Sequence, residues 1–469
     1  MMGSAGICSL PVRQKWIDSS DGVVGQCRSA DRAISGPASG SAQQEVNMRS
    51  RFNLWSGLIA LGLSLAVLIP VGAEGKSNKS KNPNKGLTSE AAEDLRDAGV
   101  DKYLGQFSPA TSEDVGDGWT KHTFDPDDGE GPICIEGTSY TAFTRAGNPA
   151  KVLIFLNGGG ACWEGVPNCS RLANEDPPAP TGIFADSFDA GGKKPIRNKF
   201  SDWSIVYLSY CDGSVFVGDN VVVNPDDPNY PGGVRHHRGL RNASAGIDLA
   251  RATFPNASRI LLAGSSAGGA GVAAFAPFLV RFTYGNLVKL SVFNDAGPVA
   301  ISLAPADAIA ARAADWDFGQ FYPASCDDCD PLGEPTAIID WRLENDRTIR
   351  EAFYSTDADS VDRSFLSVNL PGFFDIPPDF LPPIIPFPDG LTQVQYRDLI
   401  LTQHGLLNES YPDRYKRFIR SGSDAHTALR SDLFYLGEIN GVPLNEWTDD
   451  FVIPRPFWID LVEDFIPFP

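Results

Sequence analysis

The sequence has few basic residues and few histidines. It contains 39 Lys and Arg against 59 Asp and Glu, which gives a formal net charge of −20. A phosphate-binding surface needs clustered basic side chains, and the absence of such a cluster argues against a nucleic-acid partner. Any general base of the usual type must come from a short set: His122, His236, His237, His404 and His426.

Long apolar runs are also scarce, and the one that stands out lies near the start. Basic residues at 49 and 51 precede an apolar stretch from Leu54 to Val71, which ends in small residues up to Ala73. This pattern predicts a secretory signal peptide over residues 48–73, cleaved after about Ala73. A transmembrane anchor is the alternative, because the stretch approaches the length of a bilayer span. We expect a secreted, periplasmic or extracellular protein with no stable membrane span after cleavage.

The remaining chain divides by composition. Residues 1–47 precede a complete signal and are expected to be a non-structural upstream extension. Residues 74–100 begin with a polar run that lacks periodicity, and we expect a flexible leader there. Residues 101–469 are predicted to form a single domain. A proline-rich stretch at 375–388 is expected to be a rigid surface loop.

Within that domain, short apolar runs alternate with helical stretches. This order predicts an α/β fold, α/β-hydrolase-like, with a mainly parallel sheet flanked by helices and with loop insertions. The predicted strands are Val152–Leu156, Trp203–Leu208, Arg259–Ala263, Leu290–Phe293, Ala352–Tyr354 and Arg417–Ile419. The predicted helices are Gly239–Phe254, Ala267 to about Phe282, and Leu391–Leu407.

Cysteine usage indicates disulfides rather than a metal site. Six cysteines remain after the predicted cleavage, and an even number in an exported chain favours disulfides. Sequence alone leaves the pairing open; we favour Cys162–Cys169 and Cys326–Cys329 as short loops, which leaves Cys134–Cys211. A zinc site at 326–329 lacks a second ligand pair. Acidic loops at 125–128 and 226–227 could hold calcium, but flanking prolines and glycines favour plain turns. No metal and no cofactor are expected.

The stretch LLAGSSAGGAG, residues 261–271, carries the clearest chemical motif. A predicted strand ends at Gly-Ser-Ser and a small-residue helix follows. A serine nucleophile on such a turn needs small residues two positions before and after it, the pattern G-x-S-x-G. Only Ser266 satisfies that pattern, because Ser265 is flanked by Ala263 and Ala267. Ser266 is therefore the predicted nucleophile, and the Ala267 N–H a predicted oxyanion donor. The alternative is a glycine-rich helix-packing motif.

A second glycine-rich segment directly follows the Val152 strand. It reads Asn157-Gly158-Gly159-Gly160, and its backbone N–H groups would be free to approach a substrate oxygen. One alternative is an ordinary tight turn, for which three consecutive glycines would be excessive. Another is a phosphate-cradling loop, but the lysine of that motif is missing. We expect this loop to line the substrate site.

A histidine base should follow the nucleophile in chain order in a hydrolase of this type. That leaves His404, at the end of a predicted helix, and His426, in a loop after the Arg417 strand. We favour His426, because loops at the ends of sheet strands carry catalytic groups in such folds.

The acid that orients the base should lie between the serine and the histidine. The segment after the Ala352 strand offers Asp357, Asp359 and Asp362, and Asp295 follows another strand. Asp424 lies close to the histidine in sequence. The residues themselves do not decide among these five.

Taken together, these motifs resemble the pectin acetylesterase family, which includes Notum. The resemblance rests on FLNGGGACWEGVPNC (155–169), SIVYLSYCDGSVFVGD (204–219), LLAGSSAGGAG, NDAG (294–297), the Asp359 region and SDAHTAL (423–429). It implies a serine carboxylesterase with the triad Ser266, Asp359 and His426. It also implies Gly159 and Ala267 as the oxyanion donors.

Two further points follow from the resemblance. The family's acid lies in a D-x-x-Q pattern, and here Asp362 replaces the Gln. Trp163, beside the glycine loop, is expected to shape the substrate site together with Gly158 and Gly160, unless it is a core aromatic.

The expected function is that of an exported carboxylesterase that hydrolyses acyl esters, acetyl esters above all, on a polysaccharide such as pectin or on a small molecule. The alternatives are a lipase or peptidase of the same fold, and a non-catalytic carbohydrate-binding member.

Overall fold

The computed structural model describes residues 86–191, 194–227, 229–230, 232–297, 304, 306–367 and 391–468. The predicted extension, signal peptide and proline-rich loop lie outside these residues. Backbone contacts divide the chain into Met1–Lys76 and Ser77–Pro469, and every described residue belongs to the second unit.

A ten-stranded sheet runs through this unit. Its strands, with those of three two-stranded ribbons, are β1 (Thr111–Gly116), β2 (Trp119–Phe124), β3 (Tyr140–Arg145), β4 (Asn148–Leu156), β5 (Ser187–Phe188), β6 (Ile196–Arg197), β7 (Trp203–Leu208), β8 (Asn220–Val223), β9 (Val234–His237), β10 (Arg259–Ser265), β11 (Lys289–Asp295), β12 (Arg350–Thr356), β13 (Tyr415–Arg420), β14 (Glu438–Ile439), β15 (Val442–Pro443) and β16 (Leu461–Val462). The order in the main sheet is β1-β2-β3-β7-β4-β10-β11-β12-β13-β16.

The pairing confirms the predicted fold class. Every neighbouring pair from β7 to β16 is parallel, and only the β1-β2-β3-β7 edge is antiparallel. The central strands are almost wholly buried because helices cover both faces, which explains their continuous apolar runs. The result is an α/β-hydrolase-like sheet in which the ends of β4, β10, β11, β12 and β13 meet at one edge.

The helices are α1 (Ser89–Asp97), α2 (Gly239–Thr253), α3 (Ala267–Ala273), α4 (Ala276–Tyr284), α5 (Ala306–Trp316), α6 (Thr336–Asn345), α7 (Ser360–Leu366), α8 (Gln393–Ser410), α9 (Leu433–Leu436) and α10 (Leu444–Val452). No helix among the described residues is long and apolar enough to cross a membrane.

The predictions for the flexible leader and for the helix that begins at Ala267 are wrong in part. The leader predicted over 74–100 does not extend through the described residues 86–100, where Thr88 caps α1 and Leu95 is fully buried. The helix predicted from Ala267 to about Phe282 is two helices, α3 and α4. Pro277, in the first turn of α4, favours a helix start there.

The structure contains the three predicted disulfides. They are Cys134–Cys211, Cys162–Cys169 and Cys326–Cys329. The second closes the segment that follows β4 and the glycine loop. Several disulfides in one chain are typical of proteins that fold in an oxidising compartment.

Candidate active site

Ser266 occupies a strained turn between β10 and α3. Its backbone angles are φ 56° and ψ −121°, a conformation that non-glycine residues seldom adopt. The flanking glycines make the turn possible. A Cβ at Gly264 would lie 2.2 Å from the Gly268 carbonyl oxygen, and one at Gly268 would lie 2.0 Å from that of Leu156. The turn therefore has the geometry that the G-x-S-x-G pattern predicts.

The two adjacent serines have different surroundings. The Ser265 side chain is buried, and its Oγ donates a hydrogen bond to Asp295 Oδ2 at 2.5 Å. Ser266 instead lines an apolar pocket, and its backbone N–H donates to the Asp295 carbonyl oxygen at 2.9 Å. Of the two hydroxyls, the one on Ser266 is placed where a ligand can reach it.

The glycine loop lies directly against this serine. A Cβ at Gly158 would come within 2.9 Å of the Ser266 Cβ, and one at Gly160 within 2.1 Å of the Asn168 carbonyl oxygen. In the part of the chain that the structure describes, no acceptor pairs with the Gly159 N–H. The Ala267 N–H lies in the first turn of α3, where it has no intrahelical partner. The two predicted oxyanion donors thus belong to segments in contact.

His426 follows β13 and pairs with an aspartate that follows β12. Its Nδ1 lies 2.8 Å and 3.0 Å from the two carboxylate oxygens of Asp359. Asp359 also caps α7, where it accepts hydrogen bonds from the N–H groups of Val361 and Asp362. The Asp359 carboxylate is therefore held both by the imidazole of His426 and by the first turn of α7. The remaining ring nitrogen, Nε2, is buried and has no hydrogen-bond partner among the described residues.

Asp295, considered as an acid from the sequence, fixes the histidine loop instead. Besides Ser265, its carboxylate accepts hydrogen bonds from the N–H groups of Ala428 and Leu429 at 2.9 Å and 3.0 Å. The same residue thus contacts the serine turn and the loop that carries His426, which brings both to one end of the sheet. Sequence reasoning missed this role, because no local signal relates Asp295 to residues 133 positions away.

The remaining candidates for the acid and the base lie away from the pair of Asp359 and His426. Asp357 forms an ion pair with Arg397, and its Oδ2 accepts a hydrogen bond from Ser421 at 2.5 Å. Asp424 contacts Ser360 through its backbone oxygen, which accepts a hydrogen bond from the Ser360 hydroxyl at 3.2 Å. His404 is fully buried in the middle of α8, not at its end, and stacks on Phe353. Burial lowers the pKa of His404 to about 3, so this ring is neutral and enclosed in the core.

Carboxylates surround the imidazole of His426. Burial acts to lower the pKa of this ring, but the charge and hydrogen bond of Asp359, with the charges of Asp362 and Asp295, raise it to about 9. Asp362 Oδ1 lies 3.8 Å from Nδ1, and its Oδ2 accepts a hydrogen bond from the Tyr396 hydroxyl at 2.9 Å. Burial and the charge of Asp359 in turn raise the pKa of Asp362 to about 8.

These carboxylates and the ring are also close enough to suggest a cation. Atoms of Asp359, Asp362 and His426 all lie within 4.8 Å of one another. However, the hydrogen bond between Asp359 and Nδ1 accounts for the pair without an ion, and Tyr396 accounts for one oxygen of Asp362. We therefore assign no metal site here.

The pocket in front of Ser266 is mostly apolar. It encloses about 690 Å³ of empty space, part of it open to solvent. Trp163 lies in its wall, buried, with its ring centroid 5.8 Å from that of Trp316 and 6.4 Å from that of Phe365. Gly160 also lines the pocket, whereas Gly158 packs against Ser266. Trp316 and Phe365 were not singled out from the sequence, because nothing local relates them to the serine.

Fold and site together define an α/β-hydrolase-like protein with a serine on a strained strand–helix turn. Residues 121–298 match the family model described as Pectinacetylesterase. The resemblance inferred from the motifs is confirmed over this segment, which contains the glycine loop and Ser266. Asp359 and His426 lie outside it.

Similar curated proteins carry the same family name. "Pectin acetylesterase 11" of Arabidopsis thaliana is 28% identical over 185 residues, which are 36% of this chain and 43% of the relative. "Pectin acetylesterase 7" of the same plant is 28% identical over 152 residues, 30% of this chain and 36% of the relative. The match therefore spans less than half the length of these relatives.

Among solved structures, the Wnt deacylase Notum from Drosophila aligns with a TM-score of 0.48 and 16% identity. The alignment covers 71% of this chain and 93% of that one.

Proposed function

We propose that this protein is an exported serine carboxylesterase that hydrolyses acyl esters, acetyl esters above all. One observation carries the proposal: the Ser266 turn and the histidine loop converge on Asp295, while Asp359 holds His426 through Nδ1. The other ring nitrogen, Nε2, has no hydrogen-bond partner in the described part of the chain. A base held in this way can take a proton from a nearby hydroxyl. The relatives are named pectin acetylesterases, and an acetylated polysaccharide such as pectin is the proposed natural substrate class.

The chemistry follows from the roles of the side chains. His426 Nε2 takes the Ser266 proton as Oγ bonds to the carbonyl carbon, and the N–H groups of Gly159 and Ala267 stabilise the oxyanion. The alcohol leaves with the proton held by His426. Water then gives a proton to His426 and attacks the acyl-serine. The bond between the acyl carbon and Ser266 Oγ breaks, His426 returns the proton to Oγ, and the carboxylic acid is released.

A second candidate function is the hydrolysis of esters with longer acyl chains. The observation that favours it is the apolar wall of Trp163, Trp316 and Phe365 beside Ser266, which would bury hydrocarbon better than a sugar. A series of para-nitrophenyl esters of increasing chain length distinguishes the two. A maximum of kcat/KM at acetate supports the first function, and a maximum at longer chains supports the second.

Ser266→Ala tests the nucleophile, and the neighbouring serine supplies a matched control. With para-nitrophenyl acetate we expect Ser266→Ala to lose hydrolysis and labelling by a fluorophosphonate. Ser265→Ala removes only the hydrogen bond to Asp295, so it should keep both at a lower melting temperature. Equal rates for wild type and Ser266→Ala would reject the proposal. A wild type that resists labelling yet binds acetylated polysaccharide would indicate a carbohydrate-binding protein.

A further inference from the structure

Arg312, on α5, lies in the mostly apolar wall of the Ser266 pocket. Among the described residues that line this pocket, only Arg312 and Asp362 have an acidic or basic side chain. A second apolar pocket shares Arg312 and Trp316 with the first but does not include Ser266. Arg312 therefore lies where the two pockets meet, within reach of a ligand that extends past the serine.

The guanidinium has few partners for its degree of burial. Its Nε is buried and without a hydrogen-bond partner in the described ranges, and Nη2 donates to the Pro331 carbonyl oxygen at 3.3 Å. No ion pair between Arg312 and a carboxylate is seen among the described residues, although the charge of Glu334 acts on it. The rings of Trp316 and Phe318 lie 5.6 Å and 5.7 Å from its central carbon. Aromatic faces stabilise a cation but do not satisfy its N–H donors.

The side chain nevertheless remains cationic at neutral pH. Burial lowers the pKa of Arg312 to about 10, although Tyr322 and the charge of Glu334 act to raise it. A charge in an apolar wall costs free energy unless it is paired, and the planar fork of arginine fits a carboxylate in two hydrogen bonds. Asp362 is not that partner, because it faces His426 and accepts a hydrogen bond from Tyr396.

We propose that Arg312 is a specificity-determining residue that pairs with a carboxylate of the ester substrate. The pocket then prefers esters that carry a carboxylate near the reacting carbonyl over neutral esters of the same size. This inference rests on the proposed function, because the ester is the one that Ser266 attacks. The carboxylate can belong to the acyl group or to the alcohol, and the experiment separates these two sources.

Two pairs of esters provide the test. The acyl-side pair is mono-para-nitrophenyl glutarate against para-nitrophenyl pentanoate, which differ by a carboxylate in place of a terminal methyl group. The alcohol-side pair is para-carboxyphenyl acetate against para-carbamoylphenyl acetate. For each pair the ratio of kcat/KM, charged over neutral, is measured in wild type and in Arg312→Met. In at least one pair we expect the variant to lower this ratio by roughly tenfold to a hundredfold.

The neutral ester of each pair reports any general loss in the variant, so kcat/KM for the charged ester should fall by roughly tenfold to a hundredfold more than kcat/KM for the neutral one. Arg312→Lys, which keeps the charge without the fork, should give an intermediate ratio. Arg251→Met is the matched control, since Arg251 also donates to a proline carbonyl and lies over an aromatic ring, away from the Ser266 pocket. It should leave both ratios unchanged.

The inference is overturned if the ratio is unchanged in both pairs, whether the variant keeps its activity or loses it equally on charged and neutral esters. If wild type hydrolyses none of the four esters and Ser266 resists labelling, the proposed function fails instead. Arg312 is then judged by calorimetry, in which wild type should bind glutarate more tightly than Arg312→Met does. Equal binding by the two proteins would reject the pairing.

Discussion

The two sides of the candidate site are held by different kinds of contact. The serine side, residues 157–160 and 264–268, is fixed by backbone packed so closely that a Cβ at Gly268 would lie 2.0 Å from a carbonyl oxygen. The histidine side, Asp359 with residues 421–430, is fixed by hydrogen bonds to buried carboxylates. The serine side is therefore sensitive to added volume, and the histidine side to lost charge.

Removal of the charge of Asp359 should have the largest effect of these changes, a loss of catalytic rate. In Asp359→Asn an amide faces Nδ1, which neither stabilises the imidazolium nor holds the required tautomer, so we expect kcat to fall by about 10⁴-fold. Asp424→Asn, on the histidine side but without a side-chain contact to the ring, should keep activity near wild type. Hydrolysis of para-nitrophenyl acetate measures both. A loss of less than tenfold in Asp359→Asn would mean that another group orients His426.

Added volume on the serine side should have the next largest effect. Gly268→Ala forces a Cβ against the Leu156 carbonyl oxygen, and we expect the free energy of unfolding to fall by roughly 1–3 kcal/mol. Gly405→Ala is the matched control in α8, where the nearest atom is the flexible end of Arg417 at 3.2 Å. Its change should stay within about 1 kcal/mol. Urea denaturation measures both, and equal stabilities would show that the serine side is not especially sensitive to added volume.

The smallest expected effect is a change of pH dependence on the histidine side. The base must be neutral to accept a proton, so the rate should rise as pH rises through the His426 pKa of about 9. The negative charge of Asp362 helps to raise that pKa. Asp362→Asn should therefore move the acidic limb of the kcat/KM profile to lower pH, whereas Asp424→Asn should leave it in place. A limb that stays in place in Asp362→Asn would show that Asp362 is uncharged over this pH range.

The difference between local packing and contacts across the fold also explains which parts of the fold and site could be predicted from the sequence. Ser266 and the glycine loop could be predicted because each is defined by contiguous residues whose steric needs are local. The strands around them could be predicted because buried parallel strands are continuous apolar runs. The antiparallel strands β1 to β3 lack such runs, and β1 is exposed along its whole length.

Residues that act across the fold left no local signal. Chain order left His404 and His426, and the loop position favoured His426. Its pairing with Asp359 required the family resemblance, because three aspartates follow β12 at similar spacing. Asp295 was considered as an acid, and its actual partners lie on a distant loop. Arg312 was not singled out at all, since the pocket is assembled from segments that are far apart in sequence. The catalytic roles themselves remain predictions until the variants are measured.

The covalent link between Cys162 and Cys169 has a practical consequence. It encloses the turn that begins with Trp163, and Gly160 pairs with Cys169 across it. Reducing agents would open this small ring and widen the range of shapes open to the segment. Circular dichroism reports helices and strands, so it would not reveal that the wall of the Ser266 pocket had lost its form. Production in an oxidising host, with storage in thiol-free buffer, is therefore a condition for any meaningful rate.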